Sequence, residues 1–500
     1  MHTTASPLAS STHSRRAPRN VFAALLFAGL SLGAASALRA DQHTAGAPAL
    51  NSRPGAEYTV YLNVAGFNYN GSWSAGELGL PGSTLAVGDV AANATFDAAQ
   101  IGEIKNIWSR MAQSYIGFNV NVTTVDPAVA AGQAATDTAR QAFYDATPNL
   151  MHTVIGSQVR GGAYISGTNP LGKWYSTGAD GVSGLGVVAG TGANGGNHTN
   201  WMFTEDQQGA GFINGDYIGA ISAHENGHAF SLSHQGDWQG NTVVNVYTNG
   251  DAAGTTTTPG TYVATIGNAS DRQRVTWRVG DTTQDTHTVV NDVQRMLAQN
   301  SVALGGTGAA DLHLVEDGIG HTRPTATTLA LNGDGTVNFS LATGVIVPVS
   351  ESSPNPIGAA NYTEDWFSFT LASASTITLT ARDGTEFLTA GVADGVGTLR
   401  STLGIYDVNG VLISMATEDA STLFETYTGL LAAGTYYADV ASFGGHVQNS
   451  PTFNAATYYD MGAFFLTGSG FTAAPEPGSL ALLGMGGVFA LLRRNRRRAC

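Results

Sequence analysis

The stretch HENGHAFSLSH, residues 224–234, places three histidines and a glutamate in eleven positions of a 500-residue chain that has only 12 His and 12 Glu. Positions four apart share one face of a helix, so His224 and His228 would present imidazole nitrogens to a single ion. Glu225, beside them, would reach a water on that ion rather than the ion itself. His234 can supply a third nitrogen if the helix ends after His228 and the chain turns back. Three protein ligands and one open position are what a catalytic zinc requires, so one Zn2+ is the expected cofactor. Zinc lowers the pKa of water toward ~7 and polarises a carbonyl, and a carboxylate in contact with that water makes it a usable nucleophile at neutral pH. Hydrolysis of an amide needs both. The alternative is that these histidines cap or decorate a helix end. Random shuffling of this composition gives the four residues at these spacings with probability on the order of 10⁻⁴ per chain, which favours the metal.

The elements around the cluster follow from periodicity. EYTVYLNV alternates Tyr58, Val60, Leu62 and Val64 with Thr59, Tyr61 and Asn63, as a strand does. In FDAAQIGEIKNIWSRMAQSYIG, Ile101, Ile104, Trp108, Met111 and Tyr115 form one helical stripe, with Asp97 and Gln100 spaced for a capping box. Four strand-like runs follow: FNVNVTTV (118–125), LMHTVIG (150–156), GLGVVAG (184–190) and NWMFTE (200–205). DYIGAISAHENGHAFSLSH then reads as the helix that carries the cluster. The order strand, helix, four strands, helix predicts an α/β (α+β) domain over residues 55–320, a mixed sheet with two main helices. Past about residue 325 helical patterns vanish. Short apolar runs such as DWFSFTLA, STITLTA, TLGIYDVNG and GTYYADVAS recur between turn residues, which predicts an all-β sandwich over 325–470. TRPTATTLALNGDG (322–335) marks the boundary.

HENGHAFSLSH resembles the metzincin zinc-endopeptidase signature HExxHxxGxxH, and the element order of residues 57–234 is similar to the metzincin N-terminal subdomain. The resemblance implies that His224, His228 and His234 bind zinc. It implies that Glu225 is the general base that passes a proton to the leaving amine, and that an edge strand aligns an extended substrate by strand addition; GLGVVAG is the candidate edge. The chain departs from the pattern at Ser231, where the family has a Gly that eases the sharp turn after the helix. It departs again at Ile266 in ATIGNASDRQRVTW, where the family's packing Met is expected. EDWFSFTLASASTITLTA with GTYYADVAS resembles the pre-peptidase C-terminal type of β-sandwich, over roughly residues 320–470.

The two ends read as addresses. Arg15, Arg16 and Arg19, the apolar run 21–32 and the small residues around 35–40 have the layout of a cleaved secretory signal, residues 1–40. At the other end, residues 475–500, Pro475-Glu476-Pro477 precedes an apolar transmembrane-type run (480–492) and an Arg cluster, whose Arg would stay on the cytoplasmic side. These three parts, in order, closely resemble the PEP-CTERM sorting tail of Gram-negative bacteria. The resemblance implies transient contact with the inner membrane, an exosortase-type enzyme as partner, and a cell-surface or extracellular destination. Without residues 1–40 and the last eight, 13 Lys and Arg face 37 Asp and Glu, a formal charge of −24. So acidic a chain is a poor partner for nucleic acid or an anionic membrane surface. One cysteine, Cys500, excludes a disulfide framework within the chain.

The remaining candidates have plainer readings. His152, His198, His287, His313, His321 and His446 are scattered and read as packing or surface residues. Asp237 either orients a ligand histidine or serves a turn. NGDG (332–335) and DVNG (407–410) offer oxygens to Ca2+, but neither has the spacing of an EF-hand loop, so hairpin turns are the reading. The expectation is therefore an exported zinc endopeptidase acting on protein or peptide substrates. The rival is a non-catalytic cell-surface or matrix protein with a degenerate zinc-peptidase scaffold.

Overall fold

The computed structural model describes residues 46–69, 83–84, 95–133, 136–156, 159–160, 163–164, 184–185, 198–203, 215–230, 232–250, 262–268, 274–283, 288–299, 312–315, 317–347, 364–383, 397–419, 422–443, 446–447 and 457–472. The signal read at 1–40 and the tail read at 475–500 lie outside these residues. Among the described residues no helix is long and apolar enough to cross a membrane; the transmembrane run read at 480–492 lies outside them.

The first sheet has five strands: β1 (Tyr58–Asn63), β2 (Val120–Thr123), β3 (Leu150–Gly156), β4 (Gly184–Leu185) and β5 (Thr199–Phe203), in the spatial order β2-β1-β3-β5-β4. The β1–β2, β1–β3 and β3–β5 pairs are parallel, and β4 closes the edge antiparallel to β5. Gly184 and Leu185 thus form an edge strand, as read from GLGVVAG; residues 186–190 lie outside the described set. Alternation such as that of β1 usually marks a half-exposed strand. Here Tyr58, Val60, Tyr61, Leu62 and Asn63 are all buried, because helices cover both faces of a largely parallel sheet.

Helix α1 (Ala98–Tyr115) starts at the expected capping box: Gln100 N–H donates to Asp97 Oδ1 and Asp97 N–H donates to Gln100 Oε1, each at 2.9 Å. Two helices absent from the sequence reading follow, α2 (Pro127–Ala130) and α3 (Asp137–Ala146). Their caps were legible: Asp126 before a Pro at the first helical position, and Thr136, whose hydroxyl accepts from Ala139 N–H. Helix α4 (Gly215–Ala229) carries the first two histidines of the cluster. The alternation of β3 separates the layers. Thr153 bonds Asn226 of α4, while its neighbour His152 packs against Tyr144 of α3 on the opposite face, with ring centroids 4.2 Å apart. His152 is fully buried, lies within 3.0 Å of Asn63 Nδ2 and 3.2 Å of Thr199 Oγ1, and is held neutral by burial at a pKa of about 3. It is a packed histidine, as expected.

Helices α1 and α4 cross at van der Waals distance because α4 begins with glycines one turn apart. A Cβ on Gly219 would lie 2.7 Å from the Ile107 carbonyl oxygen and 2.7 Å from Arg110 Cβ. Backbone cannot yield as a flexible side chain does. Gly219→Ala should therefore lower stability by about 1–3 kcal/mol through overpacking, read as a lower urea midpoint. An unchanged midpoint would show that the helices are less tightly apposed than described.

Beyond α4 come a hairpin (Asp237–Gln239 with Thr242–Asn245), then a parallel pair (Tyr262–Ala264 with Arg274–Thr276) and helix α5 (Asp292–Gln299), whose Val263, Val275, Val293 and Met296 join the first core, formed around the first sheet. A second hydrophobic core lies between two facing sheets. One contains Thr327–Thr328, Glu364–Leu371, Gly434–Ser442, Ser401–Asp407 and Leu412–Thr417, in that spatial order; the other contains Thr343–Ile346, Gly462–Ser469, Ser375–Asp383 and Glu425–Leu431. All these pairings are antiparallel except the short one between Thr327–Thr328 and the strand Glu364–Leu371. NGDG and DVNG are turns: Asp334 accepts from Thr336, Asp407 accepts from Asn409 and Val411 N–H, and Gly335 and Gly410 have positive φ.

The strands after residue 445 do not all belong to this second core. Thr457–Tyr458 pairs with Arg278–Asp281, and Tyr459 and Met461 are buried in the first core. The chain therefore leaves the first region, builds most of the facing sheets, and returns before adding the strand Gly462–Ser469.

Candidate metal centre

Helix α4 is locked before it delivers its histidines. Its first N–H, at Gly215, donates to Glu103 Oε2 of α1 at 2.8 Å, Tyr115 OH donates to the Ala223 carbonyl at 2.9 Å, and Asn226 joins Thr153 of β3. The apolar residues of α4 are small or buried nearly all round, which suits a helix enclosed by protein. The helix ends at Ala229, and Leu232 N–H bonds back to the Gly227 carbonyl. The chain then reverses and brings His234 to the other two. Ser231, inside this turn, lies outside the described residues.

The ligand atoms of His224, His228 and His234 all lie within 4.8 Å of one another, a convergence found nowhere else among the described residues. His224 Nδ1–H donates to the Gly267 carbonyl at 3.0 Å and His228 Nδ1–H to the Leu232 carbonyl at 2.8 Å. With Nδ1 holding the proton, each Nε2 carries a lone pair. His228 Nε2 and His234 Nε2 are 3.0 Å apart. His234 can bridge that distance by donating its Nε2–H to the His228 lone pair, and a cation between the two nitrogens would replace that proton. Burial holds all three imidazoles below their ordinary pKa; the neighbouring histidines add to this at His224, and His228 adds to it at His234, which is brought to about 3. The rings are therefore neutral at physiological pH, the form in which histidine binds a metal. This donor set fits a divalent zinc-type ion.

Glu225 is 9% exposed and follows His224 on α4. Ile266, where the resemblance expects a packing Met, is fully buried: a Cβ on Gly227 would come within 2.8 Å of its Cδ1, and its carbonyl accepts from Gln235 N–H. Asp237 follows neither reading: it opens the strand Asp237–Gln239, and its two oxygens accept from the Thr248 and Asn245 side chains. His224 and His228 find their orienting acceptors in main-chain carbonyls instead, which no residue type announces.

The sequence reading also missed Tyr247. Its ring lies 4.4 Å from that of His234 and 6.1 Å from that of His224. Its hydroxyl is pushed above the usual phenol range by partial burial and then by the Glu225 charge, so it stays protonated. The only signal was position, in the apolar run VVNVYTN a dozen residues past His234.

Comparison with known proteins places the tail. Residues 473–498 match the PEP-CTERM protein-sorting motif. The chain is therefore an exported protein of Gram-negative bacteria, anchored or processed at the cell surface, and the motif implies recognition by an exosortase-type sorting enzyme. No curated protein matches. Among solved structures, a pre-peptidase C-terminal domain of a collagenase from Bacillus anthracis is similar at 15% identity and a TM-score of 0.17, over 29% of this chain and 93% of that one. Accessory secretory protein 1, 2 and 3 of Streptococcus pneumoniae is similar at 15% identity and a TM-score of 0.11, over 31% of this chain and 97% of that one. These likenesses are weak and carry no function.

Proposed function

We propose that this exported protein is a zinc-dependent endopeptidase of metzincin type, with residues 325–470, apart from the returning segment 457–461, as a β-sandwich accessory domain. The observation that supports it most is the convergence of three neutral imidazoles, two of them on the buried helix that also carries Glu225. His224, His228 and His234 would hold the ion. When bound, zinc supplies Lewis acidity toward the scissile carbonyl and toward water.

The remaining work falls to the chain. Glu225 takes a proton from the attacking water as the new C–O bond forms, then delivers it to the amide nitrogen as the C–N bond breaks, so the products are a carboxylic acid and an amine. Tyr247, kept protonated, is a hydrogen-bond donor at the rim of the site. The antiparallel edge β4 offers unpaired main-chain groups for an extended peptide.

The test is zinc content and proteolysis on the same sample. The whole chain should carry about one zinc and cleave an unfolded protein, and a chelator should remove both metal and activity until zinc is returned. His228→Ala should lose both. A well-folded chain without zinc, or one that binds zinc without cleaving any of a broad peptide set, would favour the non-catalytic surface protein instead.

A further inference from the structure

Two of the three histidines belong to α4 and are placed by the helix itself. The third does not. His234 sits in a segment without helix or extended strand, so its position depends on bonds to the rest of the protein. Those bonds form a small set. The His234 carbonyl accepts from Thr283 N–H, Gln235 N–H donates to the Ile266 carbonyl, and Gly236 N–H donates to the Asp281 carbonyl.

A buried guanidinium ties them together. Arg278 is 2% exposed. Its Nε donates to Gln235 Oε1 at 2.9 Å, one NH2 group donates to the Gly236 carbonyl at 2.9 Å, and the other donates to Thr248 Oγ1 at 3.1 Å and to the Tyr458 hydroxyl at 3.2 Å. Gly280 leaves the space this requires, since a Cβ there would meet both Arg278 Nε and Gln235 Oε1 inside 2.7 Å. Thr248 in turn donates to Asp237 Oδ1, its N–H donates to the Gln235 carbonyl, and it directly follows Tyr247. Asp292 closes the net, accepting from Gln235 Nε2 and from Arg278 N–H. The planar fork of arginine can hold four acceptors in fixed directions at once, which lysine cannot.

We infer that Arg278 and Tyr458 are positioning residues for His234, so that the metal centre is completed by chain that returns from the β-sandwich before its last strand. This rests on the metal reading proposed above. Tyr458 is the distant member: it is fully buried, it packs its ring against the Arg278 guanidinium, and it arrives on the returning strand Thr457–Tyr458. Removing its hydroxyl takes one acceptor from the fork while leaving the ring. The fork then keeps three acceptors instead of four, and its hold on the segment 234–236 weakens. Outer partners of metal ligands are commonly worth about 10–100-fold in metal affinity.

The experiment uses Co2+ as probe, because its visible absorption reports ligand geometry. The whole chain, Tyr458→Phe, Arg278→Gln and Tyr459→Phe are titrated with Co2+, and circular dichroism checks the fold of each. Tyr459→Phe is the matched control: it also deletes a buried tyrosine hydroxyl, one that bonds Asn291 instead of Arg278. The parent and Tyr459→Phe should bind one Co2+ with the same affinity and spectrum. Tyr458→Phe should remain folded, bind about tenfold more weakly and show altered absorption, and Arg278→Gln should lose more. Parental affinity and spectrum in Tyr458→Phe would overturn the inference and leave the metal site standing. A parent that binds no Co2+ would overturn the site, and the inference with it.

Discussion

Glu225→Gln is expected to keep its zinc and lose about 10²–10⁴-fold in kcat on an unfolded protein substrate, the usual contribution of a positioned general acid and base. The substitution preserves volume and one hydrogen-bonding oxygen, and Glu225 is not among the three residues whose ligand atoms converge. What it removes is the capacity to accept a proton from water and to return it to the leaving amine. Loss through unfolding is separable, because zinc content and circular dichroism should match the parent. KM should move little, since the carboxylate acts on the attacking water and not on the resting peptide. Equal kcat in the two proteins would sink the peptidase mechanism, whatever the metal content.

The second large effect concerns stability. Asp439 lies on the strand Gly434–Ser442, opposite Trp366 and Gly404 in the neighbouring strands, on the face where the Trp366 and Tyr406 rings meet at 4.9 Å. It is 5% exposed, and its Oδ1 has no hydrogen-bond partner. Burial, then the nearby charges of Glu364 and Asp365, push its carboxyl up to about 8. An unfolded Asp ionises near 3.9. The folded protein therefore keeps a proton that the unfolded chain releases, and the parent loses stability as pH rises from about 4 to about 8. Asp439→Asn removes this linkage. Its stability advantage over the parent should widen by about 1.4 kcal/mol per pH unit between pH 5 and 7, measured by urea unfolding at both pH values. Parallel stability profiles for the two proteins would mean that Asp439 is ionised in the fold.

Much of the site was legible because it is local. The spacing of His224 and His228 is a helix period, and Glu225 is their neighbour, so no tertiary information is needed to bring them together. The capping box at Asp97 and the alternation of β1 are local in the same sense. Local features were also overlooked: helix α3 has a Thr136 cap, and the strand Glu425–Leu431 is a plain alternating run. What spacing could not give is whatever depends on distant chain. The acceptor for His224 comes from Gly267, 43 residues away, and Arg278 reaches Tyr458 across 180. The burial of both faces of β1 likewise depends on helices from elsewhere in the chain.

The return of residues 457–461 also limits how the protein can be dissected. No single contiguous deletion removes the facing sheets and spares the first core, because Tyr459 and Met461 of that core come immediately before the strand Gly462–Ser469. A truncation near residue 320 would strip the first core of these side chains, so lost activity in such a protein would say nothing about substrate capture.

A contact spanning 180 residues is among the last a chain can form, since the loop it closes must first be ordered. An exported chain emerges N-terminus first, so helix α4 can fold while Tyr458 is still on the far side of the membrane. His234 would then gain the last of its supporting bonds only as translocation nears its end. On the peptidase reading proposed above, the site would reach its full metal affinity only after residue 458 has crossed, so the last part of the chain to be exported would also be the part that completes the centre.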